Sequence, residues 1–291
     1  MKTGARGIHP VSAFVFFALV FVVTLGTWSP FLCGVSILCA LALDVRLRGK
    51  RALRSFFAFV LPVILLVTLF NLFFAHYGVT VLFVLKSGNS VTLEAGVCGF
   101  VYGVRTACTL IWLFCFNEIM SEDKFIFLFG KFAPRLALVL SMALRFIPLF
   151  FESAQEIEDA RHGIGMDSKS GSVFARLKNS SHAFSILVTR SLEHAVDTAD
   201  SMAARGYSLK GRTNCSFYPF RAFDAVLLAF SVAGALSVFV FSKSLFASYN
   251  PVIEIAPVSP QGVFACCLFF AMCVLPLAFD LREEKLWSIS N

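Results

Sequence analysis

Apolar runs dominate the chain, and their lengths set its architecture. Residues 11–27 and 31–43 are apolar, with Trp28-Ser29-Pro30 between them, which predicts a membrane hairpin. Residues 56–74 form a clean span with Pro62 inside it, where the missing N–H predicts a kink. Residues 91–116 return, after a turn at Lys86-Ser87-Gly88-Asn89-Ser90. Residues 222–241 and 263–279 form a second hairpin near the C-terminus. Residues 136–151 are apolar as well. That run is about sixteen residues, short of the roughly twenty that a span needs, and it holds Arg145 and Pro148. It predicts a tilted or interfacial helix that packs on the spans without crossing; the alternative is a miscounted span earlier in the chain.

One polar stretch, residues 152–221, interrupts this pattern. Its first helix is acidic at Glu152, Glu156, Glu158 and Asp159, and ends at Gly163 and Gly165. Residues 167–171 read as a polar turn. A longer helix follows over about 172–204, with an apolar stripe at Leu177, Phe184, Val188, Leu192, Ala195, Ala199 and Met202. The spacing gives a coiled-coil-like seam, and the two alanines leave room for a crossing helix.

Composition and charge sharpen this reading. The chain has 291 residues, is 58% hydrophobic and contains 35 phenylalanines, which predicts an all-α polytopic membrane protein of about six transmembrane helices. The domains expected are 1–151, an N-terminal membrane domain ending in an interfacial helix; 152–221, a cytoplasmic insertion of two long crossing helices; and 222–291, a C-terminal transmembrane hairpin. Basic residues gather in short loops, most densely at Arg46, Arg48, Lys50, Arg51 and Arg54. The positive-inside bias makes that loop cytoplasmic and places both termini inside. The net charge of +7 is explained by orientation and implies no nucleic-acid partner. Arg105 lies within a span, where it either pairs or snorkels within the fold or serves transport. Of nine cysteines only Cys215 is in a polar segment; with no C-x-x-C and no zinc-type spacing, the others read as small buried hydrophobes.

Two helix ends carry the candidate chemistry. Asp159-Ala160-Arg161-His162-Gly163-Ile164-Gly165 closes the first polar helix, and Met202-Ala203-Ala204-Arg205-Gly206-Tyr207 closes the second. A basic side chain before a stopping glycine is an ordinary helix end. Two of them flanking one cytoplasmic insertion suggest two attachment points, since an arginine fork can hold a carboxylate at the tip of a rigid rod.

Ser141-Met142-Ala143-Leu144-Arg145-Phe146-Ile147-Pro148-Leu149, followed by these two ends and Gly211-Arg212-Thr213, resembles the transmembrane coupling (T) component of energy-coupling factor transporters. The resemblance implies a coupling subunit of a prokaryotic ABC importer of vitamins or other micronutrients, multi-pass in the cytoplasmic membrane. It implies two cytosolic ABC ATPase subunits that bind ATP, a small membrane S component that binds substrate, and contact with membrane lipid. No cofactor is implied on this chain. Ala204, Arg205 and Gly206 match the second coupling motif directly. In the first, Gly163-Ile164-Gly165 stands where the family has Ala-Arg-Gly, so Ile164 replaces the central arginine. Either Arg161 reaches the ATPase groove from one turn back, or this end docks through apolar contact at Ile164 and Gly165.

Other classes fit less well. The chain has no G-x-x-x-x-G-K-[ST] for ATP and no H-E-x-x-H, and its histidines are scattered, so an intramembrane enzyme lacks its residues. The permease half of a conventional ABC importer would present one short coupling helix rather than two long ones.

Overall fold

The computed structural model describes residues 7–75, 78, 80–84, 90–130, 133–165, 172–207, 209, 218–245, 247–248, 254–255 and 259–290. Cys215, the 167–171 turn, Lys86 to Asn89 and Gly211-Arg212-Thr213 lie outside them. The chain is an all-α polytopic membrane protein. Its helices are α1 (Pro10–Gly26), α2 (Pro30–Arg48), α3 (Lys50–Ser55), α4 (Leu61–Phe74), α5 (Leu93–Ile119), α6 (Glu122–Gly130), α7 (Pro134–Gly163), α8 (Val173–Ala204), α9 (Ala222–Val240) and α10 (Pro260–Ser290). Two small antiparallel pairs sit between helices, β1 (Val81–Val84) with β2 (Ser90–Thr92) and β3 (Ala247–Ser248) with β4 (Glu254–Ile255).

Six helices are long and apolar enough to cross a membrane, and their membership differs from the sequence expectation. α1 has 17 residues, about 26 Å by helical rise, slightly less than a hydrocarbon core of roughly 30 Å. α7 joins the six instead. It is one unbroken helix of 30 residues, so the change from apolar to polar between Phe151 and Glu152 is no break in the backbone. Hydropathy reports surroundings, whereas Glu, Ala, Gln and Leu on either side all favour helix. The basic run after residue 44 is also helical rather than a loop: α2 runs to Arg48, Gly49 turns the chain at φ +59, and α3 starts at Lys50. A π-helical turn, Phe56–Val60, joins α3 to α4 just before Pro62. The extra residue in that turn adjusts the hydrogen-bond ladder where proline brings no N–H.

The chain forms two compact units, residues 1–125 with 218–291, and residues 126–217. The first has a core of Phe16, Phe17, Val20, Leu43, Ile111, Trp112, Leu227, Phe269 and Met272. Phe16 and Phe17 meet Trp112 edge-on at 5.8 and 6.1 Å, and the indole N–H donates to Ser36 Oγ at 2.9 Å. That bond satisfies the one polar atom of the largest buried side chain. α4 and α5 approach closely because Gly99 and Gly103 expose backbone: a Cβ on Gly103 would lie 2.9 Å from the Ile64 carbonyl oxygen.

At one end of this unit Asp224, itself buried, accepts the His9 N–H at 2.9 Å and the Arg221 N–H at 2.9 Å. One carboxylate thus caps the starts of α1 and α9, where the helix dipoles favour negative charge. Lys124 of α6 is buried, donates to the Ile119 carbonyl at 2.9 Å, and feels the Asp224 charge.

Candidate functional site

The second unit is built on α7 and α8. They run antiparallel: Arg190 Nη1 meets Glu156 at 2.8 Å, while the 142–152 stretch of α7 faces the 197–205 stretch of α8 across a cleft of about 630 Å³. Met142, Phe146 and Met202 give that cleft an apolar lining, and Arg145, Glu152, Asp197 and Arg205 put charges on it. The sequence reading treated residues 136–151 as a membrane-packing run. Within that run Met142, Arg145, Phe146, Pro148 and Leu149 line the cleft shared with α8.

Both helices stop in the same way. Ile164 is the C-cap of α7 and Arg205 the C-cap of α8. Each is followed by a left-handed glycine, Gly165 at φ +75 and Gly206 at φ +79. The Gly206 N–H donates to Ala203 O at 3.0 Å and the Tyr207 N–H to Met202 O at 3.1 Å, the double bond of a Schellman stop. The Gly165 N–H makes the matching bond to His162 O at 3.0 Å. Ile164 and Arg205 are therefore geometrically equivalent, which agrees with aligning Gly163-Ile164-Gly165 on Ala204-Arg205-Gly206.

The two ends differ in chemistry. Ile164 is 70% exposed and Arg205 is exposed. Arg161 is only 7% exposed, one turn back on the same buried line of α7 as Ser153 and Ile157. Among the described residues no ion pair engages Arg205. Its guanidinium stands at the tip of a 32-residue helix with its donors open to an incoming group. The expected seam of α8 is largely exposed: Leu177, Phe184, Val188 and Leu192 all face outward, as do Val173 and Phe174 at the start of the helix.

The family model for the cobalt transport protein CbiQ matches residues 9–215. The chain belongs to this family. Among curated relatives, the energy-coupling factor transporter transmembrane protein EcfT of Lactobacillus helveticus (strain DPC 4571) is 34% identical over 107 residues, 36% of this chain and 39% of that one. The protein of the same name from Bacillus selenitireducens (strain ATCC 700615 / DSM 15326 / MLS10) is 38% identical over 95 residues, 32% of this chain and 35% of that one. A putative ABC transporter ATP-binding protein of Bifidobacterium longum (strain NCC 2705) is 28% identical over 192 residues, 60% of this chain and 23% of that protein. The chain thus spans about two fifths or less of the length of these relatives.

Proposed function

We propose that the chain is the transmembrane coupling subunit of an ATP-driven energy-coupling factor importer of vitamins or other micronutrients. It lies in the cytoplasmic membrane of a prokaryote with both termini inside. It links two cytosolic ABC ATPase subunits to a small membrane S component that holds substrate, and ATP is bound and hydrolysed on the ATPases. Family membership and the names of the EcfT relatives support this reading, as does the match to an ATP-binding ABC protein.

The observation that carries it is the matched pair of exposed helix stops at Ile164 and Arg205. A helix transmits force along its axis because its backbone bonds close every turn. Arg205 offers a planar fork for an acidic groove on one ATPase, with Ala204 and Gly206 leaving room around it. The first end acts through Ile164 and Gly165, an apolar tip, while Arg161 holds α7 in place from inside. The two ATPases then meet unlike tips, as a pair of non-identical subunits would.

The test is affinity capture of the tagged chain from solubilised membranes, with mass spectrometric identification of what comes with it. Wild type is expected to bring down ABC ATPases and a small membrane protein. Arg205→Glu is expected to lose the ATPases and keep the small membrane protein. Capture of the wild-type chain alone would defeat the proposal.

A further inference from the structure

Arg105 stands inside α5, a helix of 27 residues long and apolar enough to cross a membrane. By helical rise it is about 21 Å from the Ile119 end and roughly 18 Å from the Leu93 end. Among the described residues no carboxylate pairs with it. Its guanidinium lies 5.1 Å over the ring of Trp28, and Trp28 meets Tyr102 edge-on at 5.3 Å. Trp28 is 41% exposed, and Arg105 and Tyr102 are half-buried.

The ring alone does not account for the arginine. Stacking on an aromatic face contributes about 0.5–2 kcal/mol, whereas an arginine near the centre of a spanning helix costs about 2.5–3.5 kcal/mol even on the mildest scale. A guanidinium at that depth requires a further anion or a path to the headgroups. The fold supplies the path. Because α1 is short, the turn bearing Trp28 reaches only the level of Tyr102, leaving roughly 14 Å of α5 projecting beyond it toward Leu93. α4 and α5 thus stand taller than the α1–α2 hairpin, and Arg105 lies at the foot of that step. Tryptophan, tyrosine and arginine together are the side chains that settle at headgroup depth, the rings as amphipathic anchors and the arginine by extending toward phosphate.

We infer that Trp28, Tyr102 and Arg105 form a binding site for the phosphate of a membrane lipid, drawn in over the short α1–α2 turn. Arg105 holds the phosphate oxygens with its fork, Trp28 shields the far face of the guanidinium, and Tyr102 supports the Trp28 ring. The acyl chains run down the α1–α2 side, and the bilayer thins locally to match the short hairpin.

The purified full-length chain, stripped of lipid in detergent, is titrated with phosphatidylglycerol and followed by native mass spectrometry. A digalactosyl diacylglycerol, which has no phosphate, and inorganic phosphate serve as separate arms. Wild type is expected to retain one phosphatidylglycerol that Arg105→Gln binds roughly tenfold more weakly, the loss of a charge-assisted contact. Neither the glycolipid nor millimolar inorganic phosphate is expected to displace it. Equal retention by wild type and Arg105→Gln overturns the site, as does equal retention of the glycolipid. Displacement by inorganic phosphate would show a site for free anion rather than lipid, and also overturns it. Should Arg105→Gln fail to fold, fluorescence decides with wild type and Trp28→Phe. The lipid-dependent change in emission must be present in the first and absent in the second, and an identical change in both sinks the proposal.

Discussion

Ile164 and Arg161 show how two positions three residues apart on one helix can exchange roles. Arg161 has the charge expected of a docking residue but is buried, while Ile164 has none and is exposed at the tip. Arg161→Ala is therefore expected to lower the thermal midpoint of the purified chain, since a buried long side chain leaves a void. Ile164→Asp is expected to leave the midpoint within a degree or two and to abolish substrate uptake in cells; normal uptake would remove Ile164 from the coupling surface. The helix stop at Arg205 and Gly206 was legible in the sequence because a helix-ending arginine and glycine are local chemistry. The burial of Arg161 was not, because it depends on which face of α7 turns inward, and one turn of helix separates the two outcomes.

Lys124 gives a second test at this scale. Burial pushes its ammonium down from the ordinary value of 10.5 to about 8, against the opposing pull of Asp224. The folded chain thus releases this proton at lower pH than the unfolded chain does. Between about pH 8 and 10.5 the unfolded state binds more protons, so this group's contribution to stability rises with pH across that window. The midpoint advantage of Lys124→Met over wild type is expected to shrink steadily from pH 8 to pH 10.5. A difference that stays constant over that range would contradict the burial argument.

Among the elements, the contact between α4 and α5 is the most sensitive to volume. Gly103→Ala would press a methyl group to 2.9 Å from the Ile64 carbonyl oxygen and 3.2 Å from its Cα, both backbone atoms that cannot rotate away. A loss of about 1–3 kcal/mol in unfolding free energy is expected, as for overpacked cores. Gly34→Ala meets nothing within 4 Å and serves as the control in the same detergent melt. Five of the six long apolar helices were legible because apolar length is a one-dimensional signal. The continuity of α7 was not. Its composition changes at Glu152 while its backbone hydrogen bonding does not, so a boundary drawn from hydropathy at 151 falls in mid-helix. The end of α2 was misjudged for the same reason: Arg46 and Arg48 look like loop residues, yet Arg48 pairs with Asp44 one turn back at 2.6 and 2.7 Å, which ties the charged end into the helix.

At the scale of the whole molecule, α8 buries none of its described side chains and shows Val173, Phe174, Leu177, Phe184, Leu192 and Val196 outward. A surface that apolar is the mark of a binding partner. Hydrogen exchange on residues 173–196 is expected to slow several-fold when the chain is measured within its captured complex rather than alone. Unchanged exchange would mean that this face stays free in the assembly. Leu177, Phe184 and Leu192 belong to the stripe that the sequence spacing marked as a coiled-coil-like seam, whereas the exposure of Val173, Phe174 and Val196 beside it was not legible there.

The glycine stops carry one more consequence. Each rod has a fixed length and a fixed phase, set by where the left-handed residue ends it. One alanine inserted into the exposed middle of α8 would preserve Arg205, Gly206 and every bond of the stop. It would also turn the tip by about 100° and advance it by about 1.5 Å. The arginine would then point in a new direction while remaining chemically intact. If these helices work as pushrods, gear timing matters as much as the tooth, and such an insertion should uncouple the machine as thoroughly as removing the charge.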